Sequence, residues 1–286
     1  MNHIHTSYML PTKLKFIFSF LVFGGVLISI DACSPKPYST TNKVYRDQSK
    51  ALSKQLQTEP VTPISDTIKA PAYWVGTTNF NLRKPSFVII HHTAQNSCEQ
   101  TLQTFTTPKS AVSAHYVICK DGTLHHMLND YLRAAHAGVS RWGNLIDINS
   151  ASIGIELDNN GFEPFDSLQI NSLLSLLAKL KKEYSIPTAN FIGHGDIAPT
   201  RKNDPNYRFP WKKLAEKGFG LWFDDTRDSV PANFNAIQAL RIVGYDVKDS
   251  TAAIRAFKRH FLQDSTSKKI NDVDRSILYN LQKKYY

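Results

Sequence analysis

Apolar and polar positions along the middle of the chain predict a sheet built from short strands. The run Phe87–Ile90 is apolar and β-branched, which is typical of a buried strand. Asp121–Gly122 separates two further apolar runs and predicts the turn of a hairpin. The same reasoning predicts five strands in all, over residues 87–90, 115–119, 124–128, 153–157 and 190–192.

Helical spacing occurs between these strands and then dominates the end of the chain. Ser97 and Gln100 have the spacing of a capping box and predict a helix to about residue 105. A longer amphipathic helix is predicted to begin at Asp166 or Ser167 and to end before Pro187. Three short helices are predicted over residues 234–243, 251–261 and 272–281. We therefore predict an α/β fold, a mixed central β-sheet flanked by helices, with a small C-terminal three-helix bundle.

The N-terminus has the pattern of an export signal. Lys13 and Lys15 precede an apolar stretch, residues 16–30, which is shorter than the roughly 20 apolar residues of a membrane span. The stretch ends just before Cys33 and resembles a bacterial lipoprotein signal, which implies a lipid on Cys33. A cleaved signal without lipid and an uncleaved membrane anchor are the alternatives. All three place the body of the protein outside the cytoplasm.

These patterns divide the chain into four parts. Residues 1–33 form the signal, and residues 34–70, rich in Ser, Thr, Lys, Gln and Pro, are predicted to form a flexible tether. Residues 71–228 are predicted to form a catalytic domain and residues 229–286 the three-helix domain. We expect a lipid-anchored protein of the cell envelope, held at the outer membrane and facing the periplasm.

Charge and cysteine content narrow the function only slightly. The net charge is +10 with scattered Lys and Arg, which fits either a polyanionic partner or a basic protein without one. Cys98 and Cys119 do not have CxxC spacing, which argues against a zinc site built from cysteines. In an oxidising compartment these two residues form either a disulfide or two buried thiols.

Two histidines and an aspartate offer a set of metal ligands. His91 closes an apolar strand, His194 stands between two glycines, and Asp204 follows in a loop stiffened by prolines. Two imidazoles and one carboxylate make a three-ligand zinc site that leaves the fourth position for water. A single histidine is more often an ordinary core or surface residue, so none of the three is a strong candidate alone.

Glu156 and Lys202 have the chemistry to act beside such a metal. Glu156 interrupts an apolar strand, where a buried carboxylate is costly without a partner and suits a general base. Lys202 is two residues from Asp204 and suits stabilisation of an oxyanion. Alternatively, Glu156 is a strand-edge residue that faces solvent. The alternative for Lys202 is an ordinary charged turn formed with Arg201.

Four segments together resemble the zinc-dependent N-acetylmuramoyl-L-alanine amidases of the peptidoglycan-recognition superfamily, especially the AmpD-type branch. The resemblance spans about residues 73–217, and its most specific part is the run Gly-His-Gly-Asp-Ile-Ala-Pro-Thr-Arg-Lys-Asn-Asp-Pro. The segments that carry it are residues 88–94, 113–116, 152–156 and 193–205.

The resemblance implies a role for each candidate residue. His91, His194 and Asp204 would hold one zinc ion per chain, with Glu156 as the catalytic carboxylate and Lys202 as the transition-state partner. His92, beside the first ligand, is interpreted as a non-ligand.

Further roles follow from the same resemblance. It implies that His136 lines the muropeptide groove and that Arg201 holds a carboxylate of the stem peptide. Ala114 stands where related members often carry a tyrosine, so no catalytic tyrosine is expected and Tyr116 is interpreted as a packing residue. Residues 229–286 resemble a three-helix peptidoglycan-binding domain.

We therefore expect a monomeric amidase that cleaves the amide between N-acetylmuramic acid and L-alanine. Its partners would be peptidoglycan or muropeptides and the membrane, with no nucleic acid. One alternative is a peptidoglycan receptor that binds without cutting, which the complete ligand set argues against. Another is a secreted metallonuclease, which would need a larger basic cluster than Arg201 and Lys202 near the metal.

Overall fold

The computed structural model describes residues 36–58 and 75–286, and the chain divides after Ala70 into two units. The predicted signal of residues 1–33, with Cys33, lies outside the described residues. Within the two described ranges, no helix combines the length and the apolar character that crossing a bilayer requires.

Helix α1, Ser39–Leu56, occupies much of the segment predicted to be a flexible tether. Its 18 residues are helical because the stretch contains neither Gly nor Pro and is rich in good helix formers. An ion pair between Lys43 and Asp47, one turn apart at 2.7 Å, adds local support. None of the α1 side chains is buried, so the helix depends on these local interactions.

The second unit, Pro71–Tyr286, contains the predicted mixed sheet. Its strands are β1 Phe87–His92, β2 Tyr116–Ile118, β3 Leu124–His126, β4 Ser152–Leu157 and β5 Phe191–Gly193. They lie in the order β3-β2-β4-β1-β5. The hairpin strands β2 and β3 are antiparallel, whereas β4 pairs in parallel with β1 and β2, and β1 in parallel with β5. The prediction of a mixed central sheet is confirmed.

The two faces of the sheet have different partners. On one face, Ile90 of β1 and Ile155 of β4 pack against the long helix α3, Ser167–Tyr184. On the other face, Ile89 and Ile192 pack against loop residues in a smaller apolar cluster. Because side chains alternate across a strand, the residues that follow Ile90 on β1 are divided between these two faces.

Helix α2, Cys98–Thr106, begins where the capping box predicts, since the Ser97 side chain accepts a hydrogen bond from the Gln100 N–H at 3.2 Å. A disulfide joins Cys98 to Cys119, whose Cα atoms are 5.3 Å apart. The disulfide decides between the two states that the sequence left open. It ties the start of α2 to the end of the central hairpin strand β2.

The C-terminal part of the unit is helical, as predicted. Two short helices, α4 His194–Ile197 and α5 Trp211–Glu216, precede the three longer ones. The three are α6 Ala236–Val243, α7 Ser250–Leu262 and α8 Asp272–Tyr285. Their apolar core includes Leu221 from before the predicted domain boundary at residue 229. Both parts belong to the one unit Pro71–Tyr286, and the boundary itself stays a prediction.

Candidate metal centre

Three neighbouring strands deliver the candidate residues to one place. The Cα of His91 on β1 is in register with that of Glu156 on β4. Strand alternation places both side chains on the face that carries Ile89, away from α3. His194 directly follows β5, which pairs with the other edge of β1. The carboxyl ends of parallel strands therefore bring together residues that are far apart in the sequence.

The three predicted ligands meet in a tight triangle. The two Nδ1 atoms of His91 and His194 are 3.0 Å apart. Asp204 Oδ2 lies 3.1 Å from the first and 3.0 Å from the second. All three residues are buried, with exposed fractions of 1%, 3% and 6% respectively. The structure thus places three potential ligand atoms around a single point.

A chain of hydrogen bonds that starts at His91 Nε2 determines the tautomer of His91. It makes the other nitrogen, Nδ1, the acceptor that lies at this point. The Ser152 hydroxyl donates its proton to the Ile148 carbonyl at 2.6 Å, so its oxygen must accept from His136 Nε2 at 3.2 Å. His136 Nδ1 then accepts from His91 Nε2 at 3.1 Å. Burial and the neighbouring His194 lower the pKa of His91 to about 4, so this ring is neutral at pH 7. Its Nδ1 therefore carries a lone pair.

His194 is oriented by the same principle through a simpler contact. Its Nε2 donates to the Ala137 carbonyl at 3.1 Å. In a neutral ring this leaves a lone pair on Nδ1. Arg201 Nη2 donates to the same carbonyl at 3.1 Å and fixes its position. Second partners of this kind are typical of histidines that bind metals.

The arrangement calls for a cation. Two imidazole nitrogens and a carboxylate oxygen face one another at 3.0–3.1 Å in a buried position. Ligand atoms arranged tetrahedrally around zinc at its usual bond lengths lie about 3.3 Å apart. The donor set and its spacing therefore fit zinc, and a fourth position would complete the tetrahedron.

Glu156 lies beside this triangle in a setting that favours its protonated form. Its Oε1 is 3.9 Å from His91 Nδ1, and its Oε2 is buried without a hydrogen-bond partner among the described residues. Burial and the negative charge of Asp204 raise the pKa of the carboxyl to about 8, while Lys202 acts in the opposite direction. A carboxylate with a raised pKa next to a candidate metal is typical of a general base.

Lys202 and Arg201 both lie near the centre but differ in what they contact. Lys202 is exposed, and its charge acts on the pKa of both His91 and Glu156, which places it near the triangle. Arg201 uses Nε to hold the Val139 carbonyl at 3.0 Å, in addition to its contact with the Ala137 loop. Its predicted contact with a substrate carboxylate stays a prediction.

His136, predicted to line the muropeptide groove, contacts His91 in the structure. It is buried between His91 and Ser152, with an exposed fraction of 9%, behind the ligand rather than in an open groove. A Cβ on Gly154 would lie only 2.5 Å from the His136 ring, so glycine at that position makes room for it. His136 therefore supports His91, and its predicted contact with substrate stays a prediction.

His92, interpreted as a non-ligand, is not part of the triangle formed by His91, His194 and Asp204. Its Nδ1 accepts a hydrogen bond from the Asn206 N–H at 3.0 Å. This bond holds the turn that follows Asp204. Tyr116, interpreted as a packing residue, is buried and donates its hydroxyl to Asp130 at 2.9 Å.

Sequence reasoning missed several supporting groups. Ser152 lies within a segment that carried the family resemblance, so its position gave a signal without a role. Asp196, two residues after His194, also lies within such a segment, and the sequence assigned it no role. The Ala137 carbonyl gave no signal at all, because a backbone oxygen has no signature in the residue type.

Comparison with known proteins gives the relatives of this chain. Residues 81–207 match the family described as N-acetylmuramoyl-L-alanine amidase. The N-acetylmuramoyl-L-alanine amidase AmiD of Escherichia coli (strain K12) is 32% identical over 206 residues, which cover 61% of this chain and 74% of that protein.

Two solved structures are similar over most of both chains. One is the complex of AmiD from E. coli with the substrate anhydro-N-acetylmuramic acid-L-Ala-D-gamma-Glu-L-Lys, with a TM-score of 0.64 and 28% identity, covering 77% of this chain and 96% of that chain. The other is AmpDh3 from Pseudomonas aeruginosa in complex with an anhydromuramic pentapeptide. Its TM-score is 0.65 at 30% identity, and it covers 77% of this chain and 99% of that chain.

Proposed function

This chain belongs to the N-acetylmuramoyl-L-alanine amidase family, and we propose that it carries out the family's hydrolysis with a zinc ion held by His91, His194 and Asp204. The bond cleaved is the amide between N-acetylmuramic acid and L-alanine. The observation that carries the zinc proposal is the triangle of acceptor atoms at 3.0–3.1 Å. A bound cation would compensate the buried carboxylate and use the two imidazole nitrogens as further ligands.

Each residue beside the triangle has a separate role in catalysis. When bound, zinc supplies a Lewis acid that activates water and polarises the carbonyl. Glu156 takes a proton from the attacking water, and its raised pKa then allows it to pass that proton to the leaving nitrogen of L-alanine. The Lys202 ammonium stabilises the negative charge that develops on the carbonyl oxygen.

The substrate class follows from the relatives. The two similar structures hold muramyl peptides, which contain the amide that this family cleaves. We expect the same chemistry here, with the muramic acid and the first residues of the stem peptide lying over Glu156 and Lys202. The partner is therefore peptidoglycan or its soluble muropeptides.

Digestion of purified sacculi and muropeptides, followed by mass spectrometry, tests the reaction. The wild-type protein should release stem peptides with a free L-alanine N-terminus. Glu156→Gln should lose at least about a thousandfold in turnover while retaining zinc, because the base is removed and the ligands are not. Near-normal turnover by this variant would remove Glu156 from the mechanism.

Metal analysis tests the ligand set separately. Asp204→Ala should purify without its equivalent of zinc, because two neutral imidazoles alone bind the ion weakly. A full equivalent of zinc in this variant would show that the third ligand lies elsewhere. Lys202→Met is the matched control, since it alters the same loop without removing a ligand and should keep its zinc.

The lipid anchor on Cys33 is part of the proposal and rests on the sequence. An anchor at the outer membrane would hold the protein at the periplasmic face, where residues 229–286 would bind the wall. Cys33→Ser should move the protein from the membrane fraction to the soluble periplasmic fraction. Retention of this variant in the membrane fraction would contradict the anchor without affecting the amidase assignment.

A further inference from the structure

Asp196, two residues after the predicted ligand His194, is bound by the C-terminal helices. Its Oδ2 accepts a hydrogen bond from the Gly193 N–H at 2.9 Å and contacts His260 Nδ1 of α7 at 2.8 Å. Its Oδ1 accepts the Tyr245 hydroxyl at 3.0 Å. The carboxylate is 3% exposed, so its charge depends on these partners. Two of the three come from the part of the chain beyond residue 229.

Gly195 makes a second contact between the same elements. A Cβ at this position would lie 2.2 Å from Arg259 Nη2 of α7 and 3.2 Å from the Lys202 carbonyl. The Gly195 N–H donates to the Asp204 carbonyl at 2.6 Å. One residue therefore touches the C-terminal helix on one side and the backbone of a predicted ligand on the other.

The partners of Asp196 are themselves held in place. The His260 ring is stacked on Trp211, with centroids 4.0 Å apart and an interplanar angle of 11°. Trp211 in turn approaches Gly193, where a Cβ would lie 3.1 Å from the indole. These contacts leave His260 little freedom and fix the direction of its bond to Asp196.

Tyr245 is fixed in a similar way. It is 2% exposed and packs edge-to-face against Trp142, with ring centroids 5.1 Å apart. The loop of Trp142 is bound by the Gly143 N–H, which donates to the Gly244 carbonyl at 2.7 Å. The hydroxyl that reaches Asp196 is therefore carried by a rigid side chain.

We propose that the C-terminal helices position the metal-binding loop, and that Asp196 is the positioning residue through which Tyr245 and His260 hold His194 and Asp204 in register. The C-terminal helices would then support the metal centre structurally, in addition to any role in binding the cell wall. The inference rests on the proposed zinc site. It predicts that removing a hydrogen bond of Asp196 weakens zinc binding although no ligand is changed.

The test measures zinc affinity in the full-length protein by competition with a chromogenic chelator. Tyr245→Phe removes one hydroxyl and should weaken zinc binding by about tenfold, and Asp196→Asn should weaken it by about tenfold to a hundredfold. The absorption spectrum of the cobalt(II)-loaded protein should also change in both variants, because it reports ligand geometry. The matched control is Tyr184→Phe, which removes a hydroxyl bound to buried Asp130 at 2.8 Å, away from the ligands.

The outcomes separate this inference from the proposed function. Zinc affinities and cobalt spectra that match the wild type in Tyr245→Phe would overturn the inference, whatever the wild-type activity. A wild-type protein that binds no zinc would instead overturn the proposed metal centre. Thermal unfolding of the metal-free proteins shows whether each variant is folded during the assay. If Asp196→Asn does not fold, Tyr245→Phe decides alone.

Discussion

His91 of strand β1 acts through its hydrogen-bond partners as much as through its own ring. Ser152 fixes the tautomer of His136, and His136 fixes that of His91, so the Ser152 hydroxyl determines which nitrogen of His91 carries the proton. Burial and the neighbouring His91 hold the pKa of His136 well below its usual range, so the His136 ring stays neutral. Each member of the chain therefore has one defined donor and one defined acceptor.

Removal of the Ser152 hydroxyl should weaken zinc binding without touching a ligand. In Ser152→Ala, the Nε2 proton of His136 loses its acceptor. The alternative tautomer of His136 carries its proton on Nδ1, the nitrogen that contacts His91. We expect zinc affinity to fall by about tenfold or more, measured by chelator competition. The control Ser172→Ala removes a similar hydroxyl, bound to the Gly122 carbonyl at 2.8 Å, and should leave zinc affinity unchanged. Equal affinities in the two variants would show that the relay does not set the tautomer.

Glu156 should make the stability of the metal-free protein dependent on pH. Its pKa is about 8 in the folded protein and 4.5 ordinarily, so between these values the folded state keeps a proton that the unfolded chain releases. Its contribution is therefore fully present below pH 4.5 and is lost as pH rises through about 8. Urea unfolding in the presence of a chelator should show a free-energy difference between wild type and Glu156→Gln that declines over this range. A difference independent of pH would contradict the raised pKa.

Strands and helices bring the site together through their ends. The central strands supply His91 and Glu156 from adjacent positions, while β5 ends one residue before His194. The opposite face is covered by α3, whereas the ligand face packs against residues of loops and of the short helix α4. The sheet fixes two side chains directly, whereas the loop of Asp204 is held by contacts such as those of Gly195 N–H and His92 Nδ1.

The disulfide should stabilise the second unit, Pro71–Tyr286, without affecting its zinc binding. Cys98 and Cys119 are 21 residues apart, and closing a loop of this size lowers the entropy of the unfolded chain. The double variant Cys98→Ser, Cys119→Ser should lose about 3 kcal/mol in the free energy of unfolding, measured with urea. Its zinc content should match the wild type, because neither sulfur lies in the ligand triangle. A loss of zinc that precedes unfolding would show coupling between the disulfide and the site.

The second unit is held together by apolar contacts that cross the predicted domain boundary. Trp222 packs against both the core of the sheet and that of the C-terminal helices. Trp142 packs against the C-terminal core and against the cluster beside the ligands. The bonds of Asp196 add a polar link between the same parts. The whole unit therefore shares one continuous interior.

A shared interior predicts cooperative unfolding of residues 71–286. Urea unfolding of the metal-free protein, followed by tryptophan fluorescence and by far-UV circular dichroism after subtraction of the α1 signal, should give coincident transitions. Two separated transitions would indicate that the C-terminal helices are an independent domain. Zinc should raise the midpoint of the single transition, since it binds only the folded state.

The sequence by itself determined the strands, most of the long helices and the candidate site residues. Periodicity predicted each strand of the sheet and the C-terminal helices, because strands and amphipathic helices reflect the position of each residue relative to the core. The capping box at Ser97 was readable because its partners are three residues apart. The family resemblance indicated the three candidate ligands, whose nearest side-chain atoms the structure brings within 3.1 Å of one another.

The tertiary structure alone decided how those residues are supported. His91 and His136 are 45 positions apart, and Asp196 and His260 are 64 positions apart, so no local pattern records that they touch. For the same reason the pairing of Cys98 with Cys119 stayed open until their Cα atoms could be located. The segment predicted as a flexible tether, residues 34–70, also differed, because Ser39–Leu56 within it is helical and polar composition does not distinguish an exposed helix from a coil. Local interactions are recorded in neighbouring residues, whereas contacts made through space depend on the completed fold.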